Sequence, residues 1–168
     1  GLIFDGTGYG DDGCIWGGEA LLGNIKESIR VGHLLDFHLL GGDAAVKEPW
    51  RTALTVADTA LGREYAASLF PEYGNASETL LKAGDLGINS PVTSSMGRLF
   101  DAVAALTGLR KITGYEGQAA IELQQIMDEG SEGSYHFDII KDKNMFIFEW
   151  RQMIREIVSD LKLNIALG

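Results

Sequence analysis

Residues Phe4 to Glu19, FDGTGYGDDGCIWGGE, carry six glycines and three aspartates in sixteen positions, directly after the apolar lead Leu2, Ile3 and Phe4. The lead predicts a short strand ending at Asp5. Asp11, Asp12 and Gly13 predict the turn of a hairpin, because Asp-Gly tolerates the positive φ such turns require. Ile15–Trp16 and Ala20–Leu22 then predict the returning strand, with a bulge or close backbone approach at Gly17–Gly18. Ser28 to Leu35 supplies a third strand, and the three together predict an antiparallel meander.

Within that frame Asp5-Gly-Thr-Gly has a chemical rationale. Glycines that follow a strand let the backbone pass close to a bulky anion and turn amides toward it. Thr7 adds a hydroxyl donor, and Asp5 is suited to a metal ion or a metal-bound water. Three rival motifs fail on the residues. A P-loop needs Gly-Lys-Ser/Thr, and no lysine precedes Lys26. A dinucleotide fingerprint should open a helix, whereas Cys14, Ile15 and Trp16 lead into a strand. A calcium loop starting at Asp5 would end on Trp16 in place of a carboxylate. On local chemistry alone, a glycine-rich hairpin with a solvated acidic tip explains the stretch equally well.

Helical spacing dominates beyond residue 40. Val46, Trp50, Ala53, Leu54, Ala57 and Leu61 predict one helix with Pro49 in its first turn. Asn75 to Ala83 predicts a shorter one. Met96, Leu99, Phe100, Val103 and Leu106 form a stripe that Ser94 or Ser95 can cap and Gly108 can close. Ala119, Ala120, Leu123, Ile126 and Met127 form another, ended by Gly130. Tyr135 to Ile140 and Met145 to Phe148 predict strands around the turn Lys141 to Asn144. Trp150, Met153, Ile154, Ile157, Val158 and Leu161 predict a last helix. The fold class expected is α+β, an antiparallel meander followed by a mainly helical part. The 168 residues are expected to form a single domain, with residues 1–40 the β-rich, phosphate-meeting part and 41–168 mainly helical.

A formal charge of −10, from 24 acidic against 14 basic residues, opposes broad binding to nucleic acid or to anionic membrane surfaces. No apolar run is long enough to span a bilayer, and Gly1 to Phe4 do not resemble a signal peptide. The lone Cys14 excludes an intramolecular disulfide framework, and a cytoplasmic setting is expected. The chain opens inside a strand without a methionine and stops at the apolar NIALG, so a piece of a larger protein is expected.

Four segments occur in one order: FDGTGYGDDGCIWGGE, LLGGDAAVKEPWR (Leu39 to Arg51), INSPVTSSMGRLFDAVAALTGL (Ile88 to Leu109) and YEGQAAIELQ (Tyr115 to Gln124). Together they resemble the carboxy-terminal region of the HypF family of carbamoyltransferases. The resemblance implies an actin-like, ASKHA-type fold in which Gly6, Thr7 and Gly8 approach phosphate and Asp5 faces a metal. It implies that Gly41 and Gly42 sit against the nucleotide, with Asp43 as helix cap or ribose partner, and that Ser95 and Arg98 border the nucleotide cleft. Leu40 stands where the family usually has proline.

The implied chemistry uses carbamoyl phosphate and ATP, through carbamoyl adenylate, to carbamoylate the terminal cysteine of the partner HypE. A divalent metal, zinc or iron, is implied as well. The family's histidine motif and late metal-binding aspartate are missing, so the chain alone is expected to be inactive, and dimers through a surface exposed by truncation are an expected artefact. Two alternatives are an O-carbamoyltransferase of antibiotic biosynthesis and a non-catalytic docking module.

Plainer roles are expected elsewhere. His33 and His38 lack ligand spacing, which favours core or edge histidines, and His136 belongs on a surface strand. Cys14 has no adjacent histidine to activate it. An Arg98–Asp101 salt bridge is favoured over substrate contact. Asp11–Asp12 and Asp128–Glu129 are expected to be solvated, and Trp16, Trp50 and Trp150 to be packing residues.

Overall fold

The computed structural model describes residues 1–127 and 133–163. The expected meander is present: β1 (Leu2–Tyr9), β2 (Ile15–Gly23) and β3 (Ser28–Leu34) pair antiparallel in sequence order. The hairpin between β1 and β2 closes with Gly13 N donating to Gly10 O, and Gly13 takes the φ of +80° that the Asp-Gly turn required. β4 (Phe37–His38) pairs antiparallel with β5 (Val92–Thr93), and β5 lies parallel to the start of β2.

A parallel seam makes the sheet mixed. β6 (Asp138–Asp142) and β7 (Met145–Glu149) form a hairpin turning on Lys143 and Asn144, and β7 runs parallel to β3 through Gly32, His33 and Leu34. The strand expected over Tyr135 to Ile140 begins only at Asp138, so His136 is exposed just outside it. Strands from both sides of residue 40 thus complete one sheet.

The helix expected from Val46 to Leu61 is two. α1 (Asp43–Lys47) ends at Glu48, and α2 (Pro49–Leu61) starts with proline at its first position, where no amide is lost. α3 (Arg63–Ser68), α4 (Asn75–Asp85), α5 (Met96–Leu106), α6 (Gln118–Gln125) and α7 (Arg151–Leu163) follow. α2 is the axis of the helical layer. It packs on α5, α3, α7, α4 and β4 and is buried nearly all round through Trp50, Ala53, Leu54, Val56 and Ala57. Trp50 stacks on Tyr73 at 3.7 Å, and Trp150 meets Phe37 edge-on while donating from its indole to Leu35 O. Trp16 departs from the packing role, since it is only half-buried and carries the Arg30 guanidinium on its face at 4.4 Å.

Two helices differ from their stripes. α6 stops at Gln125, and of its expected stripe only Ala119 is buried; the expected stop at Gly130 lies outside the described residues. In α5 Phe100 points out, 48% exposed, while Arg98 and Asp101 are buried. The cause is position. α5 lies between α2 and the β1–β2 hairpin, so the face expected to be solvated is covered by the glycine segment. No described helix is long and apolar enough to cross a membrane.

Candidate functional site

Between the pairs Phe4–Gly18 and Gly8–Trp16 the register of β1 slips, and Asp5, Gly6 and Thr7 bulge out opposite Gly17 alone. Two glycines permit the bulge to lie where it does. A Cβ on Gly17 would stand 2.5 Å from Asp5 O, and one on Gly97 in α5 would stand 2.9 Å from Gly6 Cα. Backbone therefore packs on backbone from both sides.

Ser95 fixes this turn to α5. As the N-cap it accepts from Arg98 N at 3.1 Å, and its hydroxyl lies 2.9 Å from Asp5 O and 2.6 Å from Gly6 O, donating to one at a time. The carbonyls of the turn are thus drawn down onto the helix start. Gly6 N donates to the Asp5 carboxylate at 2.6 Å, so this amide already holds an anionic oxygen. Asp5, Thr7 and Gly8 are exposed. Ser95 itself is fully buried and serves the turn.

Beneath the turn lies Arg98, 3% exposed, with Nη2 3.3 Å from the place a Gly6 Cβ would take. The expected contact to Asp101 is made, Nη1 to Oδ2 at 2.8 Å. Its angles form no hydrogen bond, and Asp101 Oδ2, like Arg98 Nε, is buried without a hydrogen-bond partner among the described residues. Burial, only partly opposed by Arg98, pushes Asp101 up to about 6. An incompletely paired guanidinium under a glycine turn is an electropositive floor suited to an anion.

The Asp101 shift carries a pH prediction. The folded carboxyl keeps its proton up to about pH 6, whereas the unfolded one releases it near the ordinary 3.8. Its stabilising contribution is therefore full below the ordinary value and is lost as pH rises through about 6. Hydrogen-exchange protection of α5, corrected for intrinsic rates, is expected to fall over that window, and Asp101→Asn is expected to flatten the dependence.

The second predicted element, Gly41–Gly42, forms a turn with φ of 90° and 58°. Gly41 N donates to Asn89 O, and Asn89 Oδ1 lies 2.8 Å from where a Gly42 Cβ would be. Asp43 is not the helix cap. Gly42 holds that position without a side-chain bond, and Asp43 is the first, exposed residue of α1. Leu40, which leads into this turn, is 1% exposed in the core.

Asp11 and Asp12 at the hairpin tip are exposed, as expected, but Asp12 is also hydrogen-bonded. Asp12 accepts from Cys14 N, Trp16 Nε1 and Arg30 Nη1 at 3.0, 2.9 and 2.8 Å. Asp128–Glu129 lie outside the described residues. Burial, followed by the Asp12 and Asp36 carboxylates, pushes the Cys14 thiol up, away from the nucleophilic form. His33, on the internal strand β3, bonds Leu34 O and Asp36, and His38, on the edge strand β4, bonds Ser90 O.

Sequence reasoning missed Glu19. It is 2% exposed, accepts from Gly17 N and Gly18 N at 2.6 and 2.8 Å through Oε2, and takes Arg30 and the Ser94 hydroxyl on Oε1. An acid directly after two strand glycines was the available signal.

Comparison with known proteins gives this geometry a family. Residues 1–167 match the family described as "Carbamoyltransferase, Kae1-like Domain, second subdomain". Carbamoyltransferase HypF of Synechocystis sp. is 36% identical over 177 residues, covering 95% of this chain and 23% of that protein. HypF of Rhodobacter capsulatus is 46% identical over 126 residues, covering 74% and 17%. A crystal structure of full-length HypF in the phosphate- and nucleotide-bound form superposes with a TM-score of 0.88 at 36% identity, covering 98% of this chain and 22% of that one. T. kodakarensis HypF superposes at 0.78 with 25% identity. The chain thus spans 17% and 23% of the length of these two sequence relatives. It belongs to the HypF carbamoyltransferase family, in the part formed by the second subdomain of the Kae1-like domain.

Proposed function

We propose that this chain supplies the phosphate-meeting wall of a HypF-type carbamoyltransferase site. The whole enzyme would use carbamoyl phosphate and ATP, through carbamoyl adenylate, to carbamoylate the carboxy-terminal cysteine of HypE, on the way to the cyanide ligand of nickel–iron hydrogenase. One observation carries the reading: an exposed glycine turn, fixed from below by Ser95, lies over the buried and incompletely paired Arg98. Amides presented by a turn, with a cation beneath, hold phosphate oxygens without a lysine. Gly6, Thr7 and Gly8 form that surface, the Gly6 amide being held by the Asp5 carboxylate in this arrangement, and Arg98 supplies its charge. Gly41 and Gly42, which have no side chains to interpose, would face the rest of the nucleotide with Asp43 beside them. Ser95 holds the turn in register.

The residues fit a divalent metal only in part. Among the described residues no group of three His, Cys, Asp or Glu side chains could hold one. Asp5 is exposed beside the turn and can give one oxygen, so the other ligands, of zinc or iron, would come from the remainder of the enzyme. Such a metal would neutralise charge on the phosphate oxygens. On this reading the chain binds but does not turn over by itself.

The test is Asp5→Ala in the intact carbamoyltransferase. A loss of at least about tenfold in HypE carbamoylation is expected, the scale of a removed electrostatic contact in a site. Wild-type carbamoylation by that variant overturns the reading.

A further inference from the structure

Two neighbouring serines at the start of α5 do different work. Ser95 bonds the carbonyls of the β1 turn, whereas Ser94, also fully buried, donates to Glu19 Oε1 on β2. Glu19 in turn holds Gly17 N and Gly18 N, and Gly17 is the residue whose Cα faces Asp5 O. A carboxylate in this position accepts four donors: two consecutive amides, the Ser94 hydroxyl and Arg30 Nη2 at 2.9 Å. Arg30 also reaches Ser94 Oγ at 3.0 Å and Asp12 Oδ2 at 2.8 Å. A polar chain therefore runs from the hairpin tip to the start of α5, passing behind the glycine turn.

We propose that Glu19 is the positioning residue of the phosphate-meeting turn, because it locks Gly17–Gly18 to Ser94 and thereby sets the height of Asp5–Thr7 over Arg98. Gly17 N is bonded to Glu19, and the three residues opposite Gly17 bulge out of the ladder. Charge-assisted bonds to a buried carboxylate are short and directional, so one side chain can hold two amides and a hydroxyl in fixed relation. Glutamine cannot replace it. Its oxygen can keep the two glycine amides, but its NH2 would then face Arg30 Nη2, which can only donate, and the Ser94 hydroxyl would have to turn from donor to acceptor. Glu19 touches no ligand in this arrangement and acts through the turn.

The inference rests on the reading that the turn meets phosphate, and the experiment separates the two. ATP affinity and the KM–kcat split of HypE carbamoylation are measured per folded molecule in the intact enzyme for Glu19→Gln, Ser94→Ala and Asp5→Ala. Glu19→Gln is expected to weaken ATP binding at least tenfold in the folded fraction, with Ser94→Ala shifting it in the same direction by a smaller factor. A Glu19→Gln enzyme that is less stable but binds ATP as wild type overturns the inference, since a merely structural role predicts that result. If Glu19→Gln yields no folded protein, Ser94→Ala decides, and unchanged ATP affinity there overturns it. Normal carbamoylation by Asp5→Ala overturns the reading beneath; an impaired Asp5→Ala with a silent Glu19→Gln overturns the positioning role alone.

Discussion

Gly17→Ala in the intact enzyme is expected to cut HypE carbamoylation by about two orders of magnitude and to lower stability by about 1–3 kcal/mol. The added methyl would stand 2.5 Å from Asp5 O and 3.0 Å from Ser95 Cα. Both obstacles are backbone, so neither can rotate aside. The bulge must lift away from α5, and the Ser95 bonds to Asp5 O and Gly6 O must stretch or break. Displacement of about an ångström at a reacting centre is enough to cost such a factor in rate. Single-turnover carbamoylation and the melting temperature check the two parts separately. Turnover within about threefold of wild type would mean that the bulge is not held at the reacting groups.

Asp101→Ala is expected to destabilise the fold by about 3–5 kcal/mol, because it leaves the Arg98 guanidinium buried without a counter-charge. The double replacement Arg98→Met/Asp101→Leu separates stability from function. Removing both charges is expected to restore most of the lost stability, since a buried ion pair contributes little beyond an apolar pair of similar volume. Affinity for ATP is expected to stay low, because the cation under the turn is gone. Calorimetric melting and ATP titration of the three proteins read the two effects. If the double variant bound ATP as wild type, Arg98 would be a packing residue and the favoured salt-bridge role its whole explanation.

Local chemistry made much of this legible. The Asp-Gly hairpin, Pro49 at the start of a helix and the Ser95 cap each follow from constraints that act over a few residues. The bulge was legible for the same reason, as paired glycines in a strand mark close approach. Three features were not. Periodicity weighs only apolar residues, so α5 was assigned Phe100 as an inward residue while Arg98 and Asp101 hold the covered face. Glu19 is marked in the sequence only by the two glycines before it, because its four donors come from β2, β3 and Ser94 just ahead of α5. The pairing of β3 with β7 leaves no mark in either strand, since parallel partners share no turn. Roles for Gly41, Gly42 and Asp43 rest on the family likeness, and the structure adds only that the cap is Gly42.

That β3–β7 seam has a consequence for how the molecule assembles. Gly32–Leu34 and Phe146–Phe148 bracket α1 to α6, so this is the most distant strand partnership along the chain among the described pairs. Closing so long a loop loses entropy that only later contacts return. The meander and the α2–α5 packing, whose partners lie closer in sequence, can condense beforehand and hold the two strands within reach. The glycine turn, built from the near neighbours β1 and β2 and riveted to α5, thus does not wait on that distant seam.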